Sequence, residues 1–444
     1  MLRANRMSAL LDVVFDRVRF LRKGWGQRPL PTPQAALEAS DLLAMAHDLL
    51  GERSQSSGVG LARRILAAYT ALDTAGQRAF FDGLARDFGP LPAAIEAAWL
   101  AYQAAPGPSA LARVTQAAEP PRQELLRRLN QAPGATADLV RLRADLLRLL
   151  PDQPDLAPLE ADLVHLLRSW FNRGFLVLRR IDWSSPADML ERIIRYEAVH
   201  SIATWAELRD RLLPQDRRCY AFVHPAMPDE PLIFVEVALS ADIPASIQAL
   251  LAPDRTELPV DQAQVAVFYS ISNCQAGLAG ISFGQFLIKQ VVEELSSEFP
   301  ALNTFVTLSP VPGFGRWISA QGEAELPADL PASDPRAARR MALAARYFLT
   351  ARDKRGRPVD PVARFHLGNG ARVERLCWMG DTSAKGMRQS GGLMVNYLYD
   401  LATLEANHDA FAREGTVIAN PALHGLLREA PPVAAAPQTV LEQA

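Results

Sequence analysis

The stretch QVAVFYSISN (264–273), the glycine-bearing turn CQAGLAGIS (274–282), FGQFLIKQVVEELSSEF (283–299) and NTFVTLS (303–309) decide the fold. The first and last segments are rich in β-branched and aromatic residues and read as strands. The third places Phe283, Phe286, Leu287, Val291, Leu295 and Phe299 on one helical face, which reads as core. Strand, loop, helix and strand in that order form an α/β unit. Upstream, RCYAFVHP (218–225) and PLIFVEVAL (231–239) read as two strands joined in a hairpin by AMPDE (226–230). Downstream, RAARRMALAARYFLTARD (336–353) reads as a helix, and RVERLCWMG (372–380) and GGLMVNYLYD (391–400) read as strands.

The texture before this sheet differs. From about residue 8 to 175, segments such as LLDVVFDRVRFLRKG (10–24) and ADLVRLRADLLRLL (137–150) repeat apolar residues at helical spacing. Ser56-Ser57-Gly58, Gly89-Pro90 and Pro106-Gly107-Pro108 punctuate them. PDQPDLAP (151–158) reads as a linker or sharp turn, followed by one more helix near Asp162–Arg173. His47 and His165 have no partners at metal-ligand spacing and read as ordinary histidines. The expected division is a helical assembly domain over 1–175, an α/β catalytic domain over 176–425 and a flexible tail over 426–444.

Composition bounds the function. Apolar residues make up 49% of the 444-residue chain and charged residues 22%, with a net charge of −2, so no basic field exists to hold nucleic acid or an anionic membrane. No run reaches the roughly 18 apolar residues of a membrane span. Cys219, Cys274 and Cys377 never form C-x-x-C, which argues against a zinc site and a disulfide framework. They read as small buried hydrophobes. The Arg-rich N-terminus invites a mitochondrial presequence, but Asp12 and Asp16 oppose it, and VLEQA at the C-terminus is no peroxisomal signal. The expected compartment is the cytoplasm.

Three motifs carry chemistry. Gln275-Ala276-Gly277-Leu278-Ala279-Gly280-Ile281-Ser282-Phe283-Gly284-Gln285 follows a strand and opens a helix, where backbone N–H groups and the helix dipole favour a phosphate. It lacks the Gly-Lys-Ser/Thr of a Walker A loop and the G-x-G-x-x-G spacing. It resembles the pyrophosphate loop of the N-acetyltransferase fold, with Q-x-G-x-x-G here for the usual Q-x-x-G-x-G. Ser309, in Thr307-Leu308-Ser309-Pro310-Val311-Pro312-Gly313-Phe314, ends a strand, where α/β sheets bind ligands. His366, in Phe365-His366-Leu367-Gly368-Asn369-Gly370, sits beside a glycine-rich bend with no second ligand for zinc. Taken alone, the glycines also suit a plain turn, Ser309 a turn cap, and His366 a packed histidine.

Together, IFVEVAL (233–239), the stretch 265–300, TLSPVPGF (307–314), FHLGNGA (365–371) and GLMVNYLY (392–399) resemble the malonyl-CoA decarboxylases over roughly residues 190–410. That resemblance implies an N-acetyltransferase-like α/β domain behind an all-α domain. It implies Ser309 and His366 as the catalytic pair and Ala279, Gly280, Ile281, Ser282, Phe283, Gly284 and Gln285 as the malonyl-CoA loop. Ser282 stands where animal members carry an acidic residue. Tyr399, in Asn396-Tyr397-Leu398-Tyr399, is carried over as a site-lining hydroxyl.

The implied reaction turns malonyl-CoA into acetyl-CoA and CO2 without metal or cofactor, in a homo-oligomer that the family makes a tetramer. Ser309 would hydrogen-bond the malonyl group, and a histidine of near-neutral pKa would protonate the acetyl carbon. An acyl-CoA-dependent N-acyltransferase and a non-catalytic CoA-sensing assembly protein remain as alternatives.

Overall fold

The computed structural model describes residues 37–52, 55–281 and 287–431. The helix expected at 10–24 lies outside the described residues, and so do residues 432–444 of the tail. Among the described residues eight helices come first: α1 (Ala39–Gly51), α2 (Gln55–Ala71), α3 (Thr74–Asp87), α4 (Pro92–Ala104), α5 (Pro108–Ala118), α6 (Pro121–Leu129), α7 (Ala135–Leu149) and α8 (Ala157–Trp170). Prolines open α4, α5 and α6 in the first turn, where a missing N–H costs nothing. Leu42, Phe81, Leu125, Leu139 and Leu163 meet in one core, as the apolar periodicity requires. The 151–158 segment is a turn followed by a single 3-10 turn at Pro154–Leu156, with Leu156 buried.

The sheet follows. Its elements are β1 (Val177–Ile181), α9 (Ala187–Tyr196), α10 (Trp205–Leu212), β2 (Arg217–His224), β3 (Met227–Ser240), α11 (Ile247–Leu250), β4 (Val265–Asn273), α12 (Leu287–Glu298), β5 (Thr304–Thr307) and β6 (Ser309–Pro310). Then come α13 (Phe314–Ala320), α14 (Pro335–Thr350), α15 (Pro361–Gly368), β7 (Arg372–Cys377), α16 (Ala384–Ser390), β8 (Met394–Leu398), α17 (Leu404–Glu414) and α18 (Pro421–Glu429). The hairpin turn is shorter than expected: the chain reverses at Pro225–Ala226, and Met227–Glu230 already belong to β3.

Strand order is β1-β2-β3-β4-β5-β8-β6, with β7 also on β8. β4 and β5 are parallel and joined through α12, and the other pairs are antiparallel. A helical N-terminal region leading into this mixed α/β sheet is the expected fold class. The largest core lies on the α12 face of the sheet, where Leu287, Val291 and Leu295 of α12 pack. Val140 of α7, Leu167 of α8 and Phe171 join that core, so the two regions share packed surface. Leu426 and Leu427 also pack there, which carries the packed body four residues past the boundary expected at 425. Among the described residues no helix is long and apolar enough to cross a membrane.

Candidate active site

The parallel pairing of β4 with β5 ends at Phe268 opposite Thr307. One further bond, from the Leu308 N–H to the Phe268 carbonyl at 3.0 Å, closes the pair. Beyond it β4 runs on to Asn273, while the other chain turns aside to set Ser309 opposite Val395 of β8. Ser309 therefore stands where the sheet splits, the place such sheets reserve for ligands.

His366 comes from the last turn of a short helix, α15, and not from the bend that the sequence suggested. Asp360 fixes that helix. Its Oδ1 accepts the Ala363 N–H at 2.8 Å and its Oδ2 accepts the Tyr347 hydroxyl at 3.1 Å. The imidazole stacks on Tyr397 with centroids 4.5 Å apart. Its Nε2 lies 3.1 Å from Ser309 Oγ and its Nδ1 lies 2.7 Å from the Tyr399 hydroxyl. Ser309 Oγ also lies 2.9 Å from Thr307 Oγ1, which accepts the Tyr397 N–H at 3.1 Å.

Tyr399, His366, Ser309 and Thr307 thus form one buried chain of hydrogen bonds. Its direction sets the histidine tautomer: a Tyr399 hydroxyl donating to Nδ1 puts the ring proton on Nε2, facing Ser309. Burial pushes the His366 pKa down to about 3, so the expectation of a near-neutral value does not hold for the free site. Burial also pushes the Tyr399 hydroxyl up. Every member of the chain is neutral at pH 7.

The structure brings Ser309, His366 and Tyr399 together. Ala279, Gly280 and Ile281 follow a short turn that packs on α7, while Ser282, Phe283, Gly284 and Gln285 lie outside the described residues. Gly277 has to be glycine, because a Cβ there would lie 1.8 Å from the Val140 carbonyl oxygen, and Gly280 takes a left-handed φ of +72°. The sequence reading missed Thr307, Tyr397 and Asp360. Thr307 and Tyr397 each sit two residues from a chosen residue on a strand, and strand period alone places such neighbours on the same face. Among the described residues no group of three or more His, Cys, Asp or Glu is placed to hold a metal. All three cysteines are free and buried.

A strand-end hydroxyl bonded to a buried neutral imidazole stands at the split of this mixed α/β sheet, an arrangement that can pass a proton. Comparison with known proteins makes the class specific. "Malonyl-CoA decarboxylase C-terminal domain" matches residues 174–342 and 334–436, and "Malonyl-CoA decarboxylase N-terminal domain" matches 88–171. The mitochondrial malonyl-CoA decarboxylase of Mus musculus is 35% identical over 79% of this chain and 82% of that protein. That of Rattus norvegicus is 37% identical over 65% and 67%. The crystal structure of malonyl-CoA decarboxylase from Rhodopseudomonas palustris is 51% identical, covers 88% of this chain and all of that chain (100%), and superposes with a TM-score of 0.82. The one from Cupriavidus metallidurans is 37% identical over 88% of this chain and 99% of that chain, with a TM-score of 0.67. The chain belongs to the malonyl-CoA decarboxylase family and is a carboxy-lyase. The rat and mouse relatives are named mitochondrial, where the sequence reading of this chain expected cytoplasm.

Proposed function

We propose that the chain converts malonyl-CoA to acetyl-CoA and CO2 through the Ser309–His366 pair, with no metal or other cofactor. The observation that carries this reading is the 3.1 Å contact between Ser309 Oγ and His366 Nε2 at the sheet split. The loop Ala279–Gln285 holds the CoA pyrophosphate ahead of α12, where helix-terminal N–H groups favour an anion. Ser309 hydrogen-bonds the malonyl group with its carboxylate turned out of the thioester plane. The bound anion beside the ring raises the depressed imidazole pKa, and His366 takes up one proton from solvent.

The bond between C2 and the carboxylate then breaks. CO2 leaves, and the electron pair stays on C2 and the thioester oxygen as an enolate. Nε2 gives its proton to C2, leaving acetyl-CoA and a neutral ring protonated on Nδ1, whose N–H the Tyr399 oxygen accepts, so each turnover consumes one solvent proton. Tyr399 holds Nδ1 and keeps Nε2 aimed at the reacting carbon. The partners are malonyl-CoA and acetyl-CoA, with neither nucleic acid nor membrane. The working unit is a homo-oligomer, a tetramer by family resemblance; α4 buries none of its residues and leaves Trp99 and Leu100 about half exposed. Incubating purified protein with malonyl-CoA and a chelator is expected to release acetyl-CoA and CO2 in equal amounts. Intact malonyl-CoA under those conditions sinks the reading.

A further inference from the structure

The helical region reaches directly into the segment that leads to α12. Arg143 of α7 is buried, at 2% exposure. One edge of its guanidinium meets both carboxylate oxygens of Glu160 on α8, with Nε to Oε2 at 2.9 Å and Nη2 to Oε1 at 2.7 Å. The rest of the fork donates to two carbonyls of the loop, Nη1 to Gly277 O at 2.6 Å and Nη2 to Ala279 O at 2.9 Å. Glu160 balances the charge of Arg143, so the pair adds little net field for an anion. What it supplies is direction.

A peptide unit is planar and trans, so holding the Ala279 carbonyl toward α7 turns the Gly280 N–H to the opposite side. The close approach of Gly277 to the Val140 carbonyl removes the play that a side chain would need. Loop and helix touch backbone to backbone, and the guanidinium rivets them.

We propose that Arg143, braced by Glu160, is a positioning residue for acyl-CoA binding. It locks the segment 277–281 on the helical region, so that the Gly280 N–H, opposite the clamped Ala279 carbonyl, is presented to the CoA pyrophosphate. The inference rests on reading Ala279–Gln285 as the substrate loop, and it gives the helical region a share in catalysis that assembly alone does not require. A lysine cannot reproduce the fork, because one ammonium does not serve a bidentate carboxylate and two carbonyls at once.

The test measures kcat and KM on two substrates, malonyl-CoA and malonyl-pantetheine, which lacks the nucleotide and its pyrophosphate. In wild type, malonyl-CoA is expected to have the much lower KM. Arg143→Lys is expected to raise KM for malonyl-CoA about 10–100-fold, the worth of hydrogen bonds from a charged group, with kcat within about 3-fold. Its kcat/KM on malonyl-pantetheine stays at the wild-type value, because that substrate has nothing for the loop to hold. Glu160→Gln shifts KM the same way by less, and carries the test if Arg143→Lys does not fold. Wild-type KM in a folded variant, or equal losses on both substrates, overturns the positioning role while leaving the loop reading intact. A wild type that binds the two substrates equally well overturns the loop reading, and the proposal with it.

Discussion

Two buried polar patches lie back to back on the sheet, and they are built on opposite principles. On the α12 face, Thr307, Ser309, His366 and Tyr399 are all neutral, and each is hydrogen-bonded to the next. On the other face, Glu236 of β3 is fully buried and meets the Arg211 guanidinium at 3.0 Å. Beside it Glu197 accepts the Ser270 hydroxyl at 2.7 Å. Glu236 Oε1, His200 Nε2 and the Tyr269 hydroxyl find no hydrogen-bond partner among the described residues. The neutral patch suits the proposed chemistry, in which negative charge must leave a carboxylate: a permanent cation gripping that carboxylate would stabilise the ground state more than the transition state. An imidazolium formed only with substrate bound instead gives its charge up as C2 is protonated. Hydroxyl and imidazole donors can follow the charge to the enolate. The charged patch has no such freedom, since a charge there persists only where a neighbouring group compensates it.

The largest expected effects separate the patches by activity. His366→Asn should lower kcat by about 10²–10⁴, the usual worth of a general acid. Ser309→Ala should lower it by about 10²–10³, the worth of one preorganised donor. Neither change strands a buried charge, so both proteins should unfold near the wild-type denaturant midpoint. Single-turnover assays on malonyl-CoA alongside urea titrations check this, and normal turnover in either variant breaks the assignment.

Arg211→Met reverses the pattern. At pH 9, where the Glu236 carboxyl is ionised, removing its partner leaves a charge uncompensated in the core, which should cost about 3–5 kcal/mol of stability. Adding Glu236→Leu should restore most of that, because two apolar side chains of similar size need no partner. The folded fraction of either protein should keep its kcat. A single variant as stable as wild type at pH 9 would mean that Glu236 stays protonated even there and owes nothing to Arg211.

The two patches also differ in how far the sequence revealed them. Strand, loop, helix and strand over 264–309 were legible because the hydrophobic period changes from two to 3.6 and back. Ser309 was legible as a strand end followed by Pro310 and Pro312. Its bond to His366 was not, because it spans 57 residues and forms only when α15 packs beside β7 and lays its imidazole on Tyr397 of β8. The eight-residue length of α15 also hid it among glycines. The family resemblance supplied that pairing where local pattern could not. Glu236 was in plain view as the one acid in IFVEVAL, and a charge inside an apolar strand demands a partner. Nothing in the α10 sequence distinguishes Arg211 as that partner from its neighbour Arg209, because the choice is made by helix packing.

The smallest effect is in pH dependence, and there His366 and Glu236 should slope in opposite directions. Burial pulls His366 to about 3 from the ordinary 6.5, so between those values the unfolded chain holds a proton that the folded one refuses. Its contribution is full above pH 6.5 and is lost as pH falls toward 3. His200, pushed down to about 4 by burial, acts in the same sense from the charged face. Glu236 is held up at about 8 by burial, with Arg211 opposing, so the folded chain keeps a proton that the unfolded one has lost above about 4.5. That contribution is full below pH 4.5 and disappears as pH rises through 8. Each group can tilt stability by at most about 1.4 kcal/mol per pH unit within its window. Urea midpoints from pH 4.5 to 8 should therefore rise less steeply with pH on the acid side in His366→Asn than in wild type. In Glu236→Gln the alkaline decline should flatten. If His366→Asn keeps the wild-type acid slope, the imidazole is not the neutral, desolvated group on which the contrast between the two faces depends.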